Sequence, residues 1–230
     1  MLLQVGFHLG RAGRMMEWWE AVGLGSSKMG NETKRPATYD DLVALPENMV
    51  GQIVDGELIA QPRPASPHAV AHSVLGGLLL AHFQVGQRSP AGWWIVYEPE
   101  LHFAQDVLVP DIAGWRRERM PMMRHVPFFT LAPDWVCEVL SPSTRNLDRN
   151  RKREIYAREG VGHVWLVDPA ARTLESFALR NGDWVPLGQY FGIERVRVAP
   201  FEELELDLAL LWPPELEVRE PGEDGALYGE

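Results

Sequence analysis

PDWVCEVLSPSTRNLDRNRKREIYAREGVGHVWLVDP, residues 133–169, decides the fold. Its opening run, Trp135 to Leu140, is rich in apolar and β-branched residues and too short for a stable helix, so it reads as a buried strand. Beyond Ser141-Pro142 the period changes. Asp148, Lys152 and Tyr156 recur every four residues, Ser143 offers a cap and Gly160 a stop, which predicts a helix. HVWLVDP (163–169) then reads as a second strand ended by Pro169. Strand, helix, strand in succession predicts a sheet with helices packed on it. In the first strand Glu138 stands among Val136, Cys137, Val139 and Leu140. A carboxylate there has to be paired, protonated or bound to a cation.

The flanking sequence extends this plan. ATYDDLVAL (37–45) reads as a short helix capped by Thr38, with Asp41 three residues on. GQIVDGELIAQP (51–62) and RTLESFALRNGDWVPL (172–187) are hairpins about Asp55-Gly56 and Asn181-Gly182, dipeptides that favour tight primed turns. SPHAVAHSVLGGLLLAHFQVG (66–86) begins with Ser at a cap position and Pro at the first helical one, and its long apolar run predicts a helix buried on most of its surface before Gly86. WWIVYEPELHF, DVLVPDIAGW and DWVCEVL supply three or four strands, and LELDLALLW (204–212) closes the core. The expected class is α/β or α+β, without internal repeats.

Composition sets outer limits. A chain of 230 residues that is 46% hydrophobic suits one domain with extensions. Residues 1–32 lack periodicity and read as a poorly ordered leader, 33–212 as the folded domain, and 213–230 as an acidic tail with Pro and Gly. A lone Cys137 excludes an intramolecular disulfide and fits a reducing cytoplasm. No apolar run approaches the roughly 20 residues that span a bilayer, so no membrane association is expected. The net charge of −10 at first argues against a polyanionic partner. Residues 201–230, however, hold ten acids against Arg219 alone, while 145–158 carries six bases against two acids and 115–124 four against one. Those two basic stretches are candidates for tracking a phosphate backbone, or are ordinary solvated surface.

Two acids lie inside apolar strand runs: Asp111 in LVPDIAG and Glu138 in WVCEVL. If the strands are neighbours, the carboxylates come within a few ångströms, a repulsive arrangement that a divalent cation resolves. Oxygen ligands of this kind suit Mg²⁺. The alternative is a salt bridge to one acid, with the other at a strand end. Lys152 shares a helix face with Asp148 and Tyr156, and a helix returning over the sheet can bring that face to the strand end. There Lys152 would orient water and stabilise a pentavalent phosphate. The same spacing equally permits an Asp148–Lys152 surface pair.

VDGEL, SPH at a helix start, VLVPDIAGWRRERMP, the 133–169 stretch and LELDLALLW together resemble the Uma-type family of putative restriction endonucleases, within the PD-(D/E)XK nuclease superfamily. The resemblance runs from about Tyr39 to Trp212. It implies a restriction-endonuclease-like core, a mixed central sheet flanked by helices with added hairpins. It also implies Asp111 and Glu138 as metal-holding acids with Mg²⁺ or Mn²⁺, DNA as substrate, and a homodimer as an assembly for cutting two strands. The superfamily's Lys two residues after the second acid is here Leu140, so the role passes to Lys152 on the next helix. Gln52 stands where relatives often have Glu, which puts a third acidic ligand there in doubt, while Glu57 matches and is carried as a site-lining residue. His68 falls where relatives have a His after Ser-Pro.

Other constellations are weaker. His68 and His72 have the four-residue spacing of a zinc pair without the general-base Glu. Ser141, Ser143 and His163 lack a nucleophile elbow. The leading reading is a Mg²⁺-dependent endonuclease; the alternative is a nuclease-fold module without activity that binds nucleic acid or a protein partner. A glycosidase-like use of two carboxylates would need a sugar-sized cleft.

Overall fold

The computed structural model describes residues 35–62, 66–85, 92–123 and 125–212; the expected leader (1–32), the tail (213–230) and the Gly86 stop lie outside the described residues. α1 (Tyr39–Val43) starts at the predicted capping box, in which Asp41 Oδ2 accepts the Thr38 N–H at 2.8 Å. β1 (Met49–Val54) and β2 (Glu57–Pro62) form the first hairpin, with Asp55 and Gly56 both at positive φ, the geometry of a primed turn.

α2 (Ser66–Leu79) runs into a π-wound turn, Leu80–Val85. Its buried residues are His68, Ala71, Leu75, Gly76 and Leu79, a single stripe at helical spacing. The expectation of burial on most of its surface is therefore corrected: Ala69, Ser73 and Gly77 are exposed, because the helix covers one face of a sheet with nothing outside it among the described residues.

Five strands, rather than three or four, follow: β3 (Trp93–Tyr97), β4 (Leu101–Phe103), β5 (Asp106–Leu108), β6 (Ile112–Arg116) and β7 (Trp135–Val139). Two of the expected runs are cut, at Pro99 and at Pro110, since proline cannot donate to a ladder. Each half goes to a different sheet. β4 and β5 join the hairpin in a four-stranded sheet, order β2-β1-β5-β4. The six-stranded sheet is completed by β8 (His163–Asp168), β9 (Thr173–Arg180) and β10 (Asp183–Phe191), in the order β10-β9-β8-β7-β6-β3.

β7 and β8 are parallel and the other pairs antiparallel, so the sheet is mixed. The parallel pair is joined by α3 (145–158), the predicted helix, whose middle turn Asp148–Lys152 is π-wound. Gly160, at positive φ, ends it as expected. The β9–β10 hairpin turns at Asn181-Gly182. A short pair, β11 (Arg195–Val196) with β12 (Leu206–Asp207), leads into a 3₁₀ turn, Leu208–Leu211.

Alternation along β7 divides the core. Trp135, Cys137 and Val139 pack with α2, Trp165, Phe201 and the C-terminal Leu208 and Leu211. Val136 and Leu140 face the other side, with Ile155 and Tyr156 of α3. Glu138, sharing the parity of Val136 and Leu140, points toward α3. The sheet's two edges are guarded. At β3 the Ile95 N–H is taken by Gln84 Oε1 at 2.7 Å, and β10 carries Pro186 and a register shift before Gly188.

Candidate active site

The β6–β7 register pairs Ile112 with Cys137, which sets Asp111, one residue ahead of β6, across from Glu138. Asp111 is held from several sides. Its Oδ2 accepts the Val139 N–H at 2.6 Å, and its Oδ1 lies 3.0 Å from His68 Nε2. Its carbonyl oxygen accepts the Glu98 N–H at 2.9 Å and lies 2.9 Å from His72 Nε2. The two histidines thus serve one aspartate, on carboxylate and carbonyl, and do not form a zinc pair.

Glu138 finds its compensation on α3. Oε1 accepts from Lys152 Nζ at 2.7 Å and from the Tyr156 hydroxyl at 2.5 Å, and Lys152 Nζ also lies 3.3 Å from Asp148 Oδ1. The four-residue spacing therefore brings Asp148, Lys152 and Tyr156 to Glu138, across a π-wound turn of the kind that recurs at functional sites. Asp148 and Lys152 are buried, which replaces the surface-pair alternative with an interior network.

Burial and mutual charge shift every group of this network. Burial pushes the Glu138 carboxyl up to about 8, Lys152 pulling it partly back while Asp148 and Asp111 add to the rise. Asp148 is likewise raised by burial, with Lys152 opposing. Burial alone would lower Lys152, but Glu138 and Asp148 together hold it above its ordinary value. For His68 burial is again opposed, by the hydrogen bond and charge of Asp111, and the net direction is upward. Three carboxyl groups, Glu138, Asp148 and Asp111, thus crowd around Lys152 and His68, an arrangement that favours bound protons or an added cation.

A cavity of about 280 Å³ opens onto these groups, lined by Asp111, Glu138, Asp148, Lys152, His68 and Gln52. Gln52 reaches it from β1, where its Oε1 accepts the Val109 N–H at 2.9 Å and fixes the link between β5 and β6. Glu98 also lines the cavity from a left-handed backbone position (φ 44°). Nothing in its sequence neighbourhood signalled it.

The fold does not bring Glu57 to this cavity. It opens β2 at 59% side-chain exposure and pairs with Arg151 at 2.9 Å, so the site-lining expectation for Glu57 is corrected: the turn at Asp55-Gly56 directs it to α3's outer face. Ser143 is not the helix cap either. Thr144 holds that position, and the Ser141 and Thr144 hydroxyls bond each other at 3.0 Å. His163 begins β8, its N–H donated to the Asp134 carbonyl beside Trp135, whereas Ser141 follows the far end of β7, so no triad forms.

The basic stretches are largely engaged in pairs within the fold. On α3, Arg145 pairs with Asp168, Arg149 with Glu175, Arg151 with Asp55 and Glu57, and Arg158 with Asp106, while Arg153 lies over Phe177. Arg116 and Arg117 cover Trp93 and Trp94, and Arg119 pairs with Asp134, at the end of β6 away from Asp111. These arginines link elements of the fold, and Arg145 and Arg158 keep 41% and 46% of their side chains exposed. Arg124 lies outside the described residues.

Comparison with known proteins agrees with this architecture. The solved structure of a protein described as a putative nuclease belonging to DUF820, from Anabaena variabilis, superposes with a TM-score of 0.62 at 24% identity, covering 77% of this chain and 98% of its own. That likeness bears on the fold alone. No curated protein matches the sequence. No helix among the described residues is long and apolar enough to cross a membrane. The family model Uma2, described as putative restriction endonuclease, matches residues 38–209, and the chain belongs to that family.

Proposed function

We propose that this chain is a divalent-metal-dependent endonuclease that hydrolyses phosphodiester bonds of DNA. The observation that supports it is the meeting of Asp111 and Glu138 across β6 and β7 at one cavity, with Lys152 Nζ 2.7 Å from Glu138. Among the described residues no three His, Cys, Asp or Glu side chains form a metal cage of their own. One or two carboxylates with several retained waters is the manner in which Mg²⁺ is commonly held, and the crowding of Asp111, Glu138 and Asp148 at one cavity favours such an ion. The residues fit Mg²⁺ or Mn²⁺, with Asp111 and Glu138 as its holders. When bound, the ion would supply Lewis-acid polarisation of a phosphoryl oxygen and charge neutralisation.

Lys152 orients the attacking water and adds positive charge beside the phosphorus. Asp111, clamped by Val139 N–H and His68, needs little reorganisation as substrate arrives. The free, buried Cys137 accords with a reducing cytoplasm.

A second reading has an observation of its own. Lys152 and Glu138 already satisfy each other, and Gln52 offers an amide in place of an acid, as in a nuclease-fold module that binds nucleic acid or a protein without cutting. Incubating supercoiled and single-stranded DNA with the purified chain in Mg²⁺, Mn²⁺ or EDTA, beside Asp111→Ala and Lys152→Ala, separates the two. Metal-dependent nicking lost in both variants supports the endonuclease; DNA binding without cleavage by any form supports the module.

A further inference from the structure

We propose that Tyr156 is a positioning residue for the metal-holding carboxylate of Glu138, an inference that rests on the endonuclease reading above. The Tyr156 side chain is fully buried, and its hydroxyl donates to Glu138 Oε1 at 2.5 Å. Lys152 Nζ reaches the same oxygen at 2.7 Å. Two donors converge on Oε1, which leaves Oε2 clear of both, and Glu138 lines the cavity.

The two donors are not equivalent. Lysine carries its charge on a flexible four-carbon stem that can follow a moving acceptor, and Lys152 also has Asp148 Oδ1 within 3.3 Å. The terminal torsion of a glutamate is broad, so a single flexible donor leaves the plane of the carboxylate loosely set. Tyr156 is held more firmly. Its ring belongs to the core cluster with Leu140, Ile155, Val161 and Leu166, and its backbone carbonyl accepts the Val161 N–H where α3 ends. A phenol anchored in this way offers its hydroxyl at one place and so fixes the plane of the Glu138 carboxylate, one oxygen toward the ring and the other away from it. Presentation of a metal ligand by a buried partner behind it is worth about 10-fold to 100-fold in metal affinity where it has been removed.

The test uses the full chain and metal alone. Mn²⁺ binding is measured by titration calorimetry without nucleic acid for wild type, Tyr156→Phe and Asp111→Ala, and the Mg²⁺ concentration for half-maximal nicking is read in parallel. Tyr156→Phe is expected to weaken Mn²⁺ about tenfold and to raise the Mg²⁺ requirement similarly, with nicking recovering at saturating Mg²⁺. A Phe variant that melts earlier yet binds Mn²⁺ like wild type overturns the inference and leaves Tyr156 as packing. Absence of Mn²⁺ binding by the wild type overturns the endonuclease reading itself. A measurement independent of the variant's folding is the ultraviolet tyrosine difference spectrum of the wild type on adding Mg²⁺. A perturbation is expected as the acceptor of the phenol changes, and none at saturation overturns the proposal.

Discussion

Lys152 Nζ and Glu138 Oε1 are 2.7 Å apart with both side chains 2% exposed, a helix-borne cation and a strand-borne acid that meet in the interior. Asp148 shares the cation. Lys152→Met would leave both acids buried without it, and removing one partner of such a pair costs about 3–5 kcal/mol. Urea melts should register that loss, and Glu138→Gln in the Lys152→Met background should return part of it. A double variant no more stable than Lys152→Met would mean the two residues are not coupled.

The same burial gives the fold a pH dependence of definite sign. Glu138 is raised from its ordinary 4.5 to about 8, and Asp148 is raised as well, so between these limits the folded state binds more protons than the unfolded one. Stability contributed this way is present at the acid end of the window and lost as pH rises through the folded value. In metal-free buffer the urea midpoint should fall between about pH 5 and about pH 8, and Glu138→Gln should flatten the slope. A midpoint that rises over this window in the wild type would contradict the assignment.

Arg151 ties the first hairpin to α3 through Asp55, Glu57 and the Val54 carbonyl, at 3.0, 2.9 and 2.7 Å. The carboxylate contacts are exposed and individually weak, so Arg151→Ala should cost about 1–2 kcal/mol in all, most of it from the carbonyl bond. Glu57→Gln should change stability by less than about 0.5 kcal/mol and leave nicking as in wild type. A nicking defect in Glu57→Gln would return Glu57 to the site.

Adjacent glycines in α2 should respond oppositely. A Cβ at Gly76 would fall on the Tyr97 ring, whereas at Gly77 nothing lies within 4 Å. Gly76→Ala should destabilise by about 1–3 kcal/mol through overpacking. Gly77→Ala, in an exposed helical position, should stabilise by up to about 1 kcal/mol. Thermal melts of the two variants decide it.

What could be read from the sequence was local. The Asp148, Lys152, Tyr156 face follows from a four-residue period, and both hairpin turns from Asp-Gly and Asn-Gly, because such patterns act within a few residues. The meeting of Asp111 and Glu138 needed one further condition, that their strands be neighbours, and the fold meets it. What escaped was tertiary. Arg151 finds Asp55 across 96 positions and Arg158 finds Asp106 across 52, partners that no local pattern in the basic helix announces. His68 carried only helical spacing and a family position, while its use at Asp111 depends on where α2 docks. Pro99 and Pro110 stood in plain view as strand breakers, yet their sending of the flanking halves to separate sheets is a property of the whole topology.

The Gln84 amide on Ile95 and the Pro186 irregularity in β10 each interrupt one margin of the large sheet. Unpaired margins are templates for growth from chain to chain, and here neither offers an uninterrupted row of free donors and acceptors. Fusing two large sheets into one continuous ladder would require displacing the Gln84 amide at β3 or passing the Pro186 irregularity at β10. Contact between copies through side-chain surfaces would meet neither obstacle and would leave the large sheet of each as it is.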